Sequence, residues 1–171
     1  MRKFGIAAAV VVVAGVISGG ATLASGDNGE GSGNDDGGKT FTIYAPTAAN
    51  RIAFLPVTAG TFSLGDRTVF SDDLFTSKGG KSLGIDGGVC TVVRITDAAS
   101  ASGVLECHIT FLLPKGQITT QELHTLTNGN LTGTQPGAIT GGTGKYRNAS
   151  GQVSVKFLST TEAYVTFFLD D

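Results

Sequence analysis

"GGVCTVVRITDAASASGVLECHITF", residues 87–111, holds the only two cysteines of the chain, Cys90 and Cys107, in two apolar runs on either side of a small polar turn. The runs are rich in β-branched residues and the link in Asp, Ala and Ser, a pattern that reads as a β-hairpin. If "DAASAS" closes it symmetrically, Ile95 pairs with Ser102, Val92 with Leu105, and Cys90 lies opposite Cys107. Strand alternation then puts Cys90, Val92 and Arg94 on one face, with Leu105, Cys107, Ile109 and Phe111 beside them.

That face is apolar, as the lining of a hydrophobic ligand site is, and equally as the filling of a small barrel is. Arg94, near the strand end, has the parity to meet an anionic ligand group at a pocket mouth, or to reach solvent. The next turn, taken as Pro114–Gly116, pairs Leu113 with Gln117 and sets Glu106 opposite His124 and His108 opposite Glu122. All four then share the outer face, where they read as surface charge pairs and would bind zinc only if they converged. Val89, Val93 and Ile95 carry the same outer parity, an apolar stripe suited to an oligomer contact or a covering loop.

Short alternating runs broken by Gly, Asn, Asp and Pro continue along the chain. Strands are predicted at 40–45, 66–75, 85–96, 103–113, 117–127, 136–140, 151–158 and 163–169, with 51–65 either a helical turn or an extra strand. Eight strands with short links point to an all-β sandwich or a closed antiparallel barrel, and closure hides the edges of so apolar a set. With 26 Gly and only 4 Pro in 171 residues, composition favours strands and tight turns.

The chain begins "MRKFGIAAAVVVVAGVISGGATLASG", with Arg2 and Lys3, an apolar run from Phe4 to Ile17, and small residues after it. This reads as a secretory signal over residues 1–24, its apolar run too short for a membrane helix of about 18–20 residues. A mature protein that is extracellular, free of the membrane, and in a compartment where disulfides persist is the expectation. Residues 25–39, "SGDNGEGSGNDDGGK", hold four acids and no apolar side chain and read as a flexible tether. The domain is residues 40–171. It is close to neutral and has no basic cluster, which excludes nucleic acid as a partner.

Two further motifs carry no chemistry of their own. "GGTGKYR" at 141–147 lacks phosphate-loop spacing and reads as turn geometry, and "SDD" at 71–73 reads as solvated surface. No cofactor motif and no metal site emerge.

"LGDRTVFSDDLFTSKGGKSLGIDGGVCTVVRI", residues 64–95, and "ITGGTGKYRNASGQVSV", residues 139–155, resemble the plant allene oxide cyclases and, more loosely, the dirigent proteins. The shared order is a Gly-Asp pair, an apolar strand, Gly-Ile, Gly-x-Cys followed by aliphatics, then a Gly-Gly-x-Gly turn and a Ser-Gly-Gln-Val strand. The resemblance implies an eight-stranded antiparallel barrel, often trimeric, with an apolar pocket in which Cys90 lies. It also implies a first-strand tyrosine and glutamate. Tyr44 matches the tyrosine, and Ala45 stands where the glutamate is required, so the barrel carries over better than the reaction.

The expected activity is a secreted barrel that binds a small hydrophobic molecule and guides its cyclisation or isomerisation by confinement. A non-catalytic carrier or a structural exported barrel is the alternative. Facing cysteines in an exported protein are expected to form a disulfide, the rival being a reactive Cys90 thiol in the pocket.

Overall fold

The computed structural model describes residues 39–170; the expected signal and the tether up to residue 38 lie outside the described residues. The strands are β1 (Lys39–Pro46), β2 (Ile52–Leu55), β3 (Arg67–Phe70), β4 (Asp73–Phe75), β5 (Ser82–Asp97) and β6 (Ser102–Leu113). They continue as β7 (Gly116–Thr127), β8 (Asn130–Leu131), β9 (Thr134–Gly142), β10 (Gly151–Ser159) and β11 (Glu162–Leu169). Eight of them, in the order β1, β4, β5, β6, β7, β9, β10, β11 and back to β1, form a closed antiparallel barrel.

The strand predicted at 66–75 is broken in two. At the break, Ser71 Oγ donates to the Asp86 carbonyl at 2.5 Å and the Asp72 N–H donates to Asp86 Oδ1 at 2.7 Å. Side-chain bonds replace part of the ladder there. β3 and β4 therefore run in succession along one edge of β5. The ambiguous stretch after β1 holds both alternatives, a single 3-10 turn at Ala49–Arg51 and then β2, an exposed strand on the outer edge of β3.

The barrel closes between β1 and β4 through a single register pair, Tyr44 with Phe75. Outside this seam the Lys78 ammonium donates to both oxygens of Glu162, at 2.9 and 3.1 Å, and Glu162 also accepts from the Tyr44 hydroxyl. A side-chain clasp thus covers the wall with the shortest ladder.

Cys90 lies opposite Cys107 and Val92 opposite Leu105, and the two cysteines are joined as a disulfide. Nearer the turn a bulge at Val93 adds one residue to β5, so Arg94 pairs with Val104 and Ile95 with Gly103 rather than Ser102. The extra residue reverses the faces beyond it. Ile95 turns in to pack on the core, and Arg94 stands exposed on the outside.

The β6–β7 turn is one residue shorter than the sequence suggested. Pro114 and Lys115 alone form the loop and Leu113 pairs with Gly116, so Glu106 faces Leu123 and His108 faces Gln121. Two-residue loops are the commonest hairpin connection, and a slip of one residue exchanges the faces of a whole strand. Glu122 and His124 are thereby turned from the outside to the interior.

Aromatic rings fill one end of the barrel. Phe41 stacks on Phe167 at 4.8 Å between centroids, and Phe111 meets Phe167 edge-on at 5.0 Å. With Ile118 and Val153 fully buried beside them, this end is solid core. The disulfide sits midway along the β5–β6 wall.

Linking 16 intervening residues corresponds nominally to about 3 kcal/mol of loop-closure entropy, less where a hairpin already holds its ends together. Thiol titration of denatured, unreduced protein is expected to find no free thiol. The Cys90→Ala/Cys107→Ala double variant is expected to lose about 1–3 kcal/mol in urea unfolding.

Candidate active site

The end of the barrel away from the aromatic plug is hollow. A cavity of about 230 Å³ is floored by Phe111, walled by Ile109, Leu105, Val155 and Val165, and rimmed by the β10–β11 turn at Ser159–Glu162. Apolar cavities of roughly 150 Å³ already hold a benzene-sized molecule. The interior is therefore neither wholly filled nor wholly open.

Polar groups enter this apolar space from three directions. Glu122 and His124 project from β7, two residues apart on its inward face and both 2% exposed. Glu122 Oε2 lies 2.5 Å from His124 Nε2, and Glu122 Oε1 accepts from the Thr120 hydroxyl at 2.7 Å. Glu122 Oε2 forms no hydrogen bond in the protein despite this close approach. The His124 ring meets Phe157 edge-on at 5.3 Å, and its Nδ1 has no partner in the protein.

Asp86 enters from β5, and Asp72 from the bend before β4. Burial, with the Asp72 charge next in importance, pushes the Asp86 carboxyl up to about 8. Burial also raises Asp72, against hydrogen bonding from Thr47, and its Oδ1 has no partner. Burial in this apolar space therefore favours the neutral form of Asp86. A third buried aspartate, Asp66, has a structural task, accepting the N–H groups of Val57 and Ser63 at 2.7 and 2.8 Å.

Space for Glu122 comes from its neighbour on β9. Gly137 is the register partner of Glu122, and a Cβ there would stand 2.2 Å from Glu122 Cγ. Only glycine leaves room for an inward glutamate at this height.

The residues proposed from sequence divide into three groups. Cys90, Leu105, Ile109 and Phe111 line the cavity, Cys90 as half of the disulfide. Val92 and Cys107 are buried in the same wall without lining the cavity. Arg94 stands outside, turned by the bulge, and Tyr44 faces away from the cavity, packed against Tyr164 with its hydroxyl on Glu162.

Four polar residues were read otherwise from sequence. Asp72 belongs to a motif assigned to solvated surface, and Glu122 and His124 were assigned to the outer face. Asp86 was not singled out. The available signal was the loop length at Pro114–Lys115. Glu106 and His108 remain outside, so the two Glu–His pairs occupy opposite faces of the sheet. Among the described residues no three His, Cys, Asp or Glu side chains converge to hold a metal ion.

The sequence profile described as "allene oxide cyclase barrel like domain" matches residues 44–169. The chain belongs to that family. Within the family frame, Ala45 lies on the cavity wall, so the first strand supplies no carboxylate and the acids come from β5, β7 and the bend at Asp72. No curated protein matches the sequence.

Among solved structures, one titled pyocyanin demethylase is 28% identical, with a TM-score of 0.64 over 77% of this chain and 99% of that one. The pterocarpan synthase dirigent protein GePTS1 is 17% identical, with a TM-score of 0.59 over 77% of this chain and 82% of that one. The Diels Alderase AbmU from Streptomyces koyangensis is 15% identical, with a TM-score of 0.57 over 82% of this chain and 71% of that one. The last two establish likeness of fold.

Two outcomes follow from this geometry. A carboxyl raised from the usual value near 4 to about 8 gives the native state the extra proton between those pH values. Stability at low pH is therefore lost as pH rises through that window, and Asp86→Asn is expected to flatten the slope in urea unfolding across pH. Gly137→Ala is expected to displace Glu122 from His124, moving the His124 ring resonances and costing about 1–3 kcal/mol.

Proposed function

We propose that this barrel is an enzyme that binds a small, largely apolar molecule in its cavity and guides cyclisation or isomerisation of it by proton transfer. The observation that carries the reading is the burial of Asp86, Asp72 and a close Glu122–His124 pair in one otherwise apolar cavity. A carrier needs no such groups. Burying them costs several kcal/mol unless each is compensated, and groups poised this way suit general acid–base chemistry.

In the reading favoured here the cavity walls hold the molecule in one folded conformation, so that one product geometry dominates. Asp86 donates a proton where negative charge develops. Glu122, oriented by Thr120 and paired with His124, accepts one. The disulfide leaves Cys90 without a thiol, and nucleophilic catalysis by cysteine has no place in this scheme.

A second reading is favoured by one observation, the 28% identity to a protein titled pyocyanin demethylase over nearly all of that chain. Here the cavity would take a methylated aromatic as its substrate. Both readings place the protein outside the cell, supported by the signal-like start of the chain, and the exposed apolar strand β2 supports association of copies.

Native mass spectrometry of protein from its own source is expected to show a retained small molecule. With that molecule as substrate, Glu122→Gln and Asp86→Asn are each expected to lower kcat by about 10²–10⁴ with KM nearly unchanged. Mass analysis of products after incubation with pyocyanin tests the second reading. Full turnover by both carboxyl variants would overturn the proton-transfer reading.

A further inference from the structure

The cavity lining holds four carboxyl groups, Asp72, Asp86 and Glu122 within and Glu162 at the rim, and a single basic side chain, His124. Lys78 neutralises the rim carboxylate Glu162 at 2.9 Å, and Arg51 is engaged outside with Asp73 at 2.5 Å, so neither offsets the three inner acids. Protein charge inside the cavity is therefore unbalanced toward the negative whenever its carboxyls ionise. Three buried polar atoms on the lining, Asp72 Oδ1, Glu122 Oε2 and His124 Nδ1, also form no hydrogen bond within the protein. Such atoms are rare in native interiors, and at the wall of a cavity they are the natural contacts of a ligand.

We propose that the cavity selects a small aromatic cation, a flat and largely apolar molecule carrying one positively charged nitrogen, held between the Asp72–Asp86 pair and Glu122. This rests on the reading of the cavity as a ligand site and adds the charge of the ligand to it; a cation that expels the Asp86 proton leaves proton transfer to Glu122, and the acid role of Asp86 belongs to a neutral ligand. Phe70, Phe111 and Phe157 on the lining supply faces and edges for an aromatic ring, and π faces attract cations. The carboxyls supply the counter-charge in a space where water does not screen it. A carboxylate ligand, such as a fatty acid, would meet like charge in the same space.

The proposal carries a characteristic dependence on pH. Asp86 on β5 faces Asp72 from the bend before β4 and Glu122 from β7. Its partner on β6 is the apolar Phe111, and Arg51 and Asp73 act on Asp72 from outside. Empty, the pair keeps a proton. A cation between the carboxyls favours their ionised forms, so its binding releases that proton below about pH 8. Cation affinity is expected to rise with pH up to that point and then level off. A neutral ligand releases no proton and gives no such rise.

The test uses three probes of like size on the intact protein by isothermal titration calorimetry: 1-methylquinolinium, 1-methylnaphthalene and 1-naphthoate. At about pH 9 the cation is expected to bind about tenfold or more tighter than its neutral isostere, with the anion weakest. The preference is expected to shrink by about tenfold at pH near 6, with proton release visible as a buffer-dependent heat. Asp72→Asn/Asp86→Asn is expected to remove the preference while 1-methylnaphthalene still binds.

Equal or tighter binding of 1-methylnaphthalene across the pH range would overturn the cation proposal and leave the ligand site standing. Tightest binding of 1-naphthoate would do the same. Failure of all three probes to bind the folded protein would remove the ligand site itself. The comparison among probes on the unmodified protein keeps the test decisive if the double variant does not fold.

Discussion

The interior of this barrel depends on the pairing of Leu113 with Gly116 across a two-residue turn. Side chains alternate along a strand with period two, so this one pair fixes which half of β7 meets the core. In the observed register, Ile118, Thr120, Glu122, His124 and Leu126 point in, and Gln121, Leu123 and Thr125 point out. Hydrophobic burial alone does not select this arrangement, since it leaves Leu123 at 63% exposure and buries a glutamate and a histidine. The turn, the Thr120 hydrogen bond, the Glu122–His124 pair and the space left by Gly137 act together to hold it.

The fold was legible because its determinants are local. Alternating β-branched runs, Gly- and Asp-rich links and the facing cysteines specify strands and their neighbours without reference to distant parts of the chain. Each predicted strand has an observed counterpart within about three residues at each end except 66–75, where the side-chain bonds of Ser71 and Asp86 break the ladder, and the two-residue β8 was not predicted. Nothing in the composition of "DRTVFSDDLF" signals that break, because its cause lies on β5.

The site was legible on the β5–β6 hairpin and not beyond it. Cys90, Leu105, Ile109 and Phe111 follow from one symmetric turn, whereas Arg94 was carried to the wrong face by a bulge that no residue type announces. On β7 the assumed turn at Pro114–Gly116 missed by one residue the register actually adopted, which also defies the rule that polar residues face outward. Glu122, His124, Asp72 and Asp86 are the residues that break that rule, and departures from local consistency concentrate where function is built. The missing first-strand carboxylate at Ala45 is matched in this chain by acids from other walls of the same cavity.

The seam between β1 and β4 gives these acids a particular vulnerability. One backbone register pair and the Lys78–Glu162–Tyr44 clasp hold that wall, while β5, β6 and β7 are joined along most of their lengths. Local openings of a protein begin where the fewest interactions must be broken. Asp72 lies at the head of β4, with Asp86 bonded behind it. The smallest opening motion of this barrel therefore admits water to the two carboxyls whose protonation depends on being dry, coupling the breathing of the wall to the acidity of the cavity.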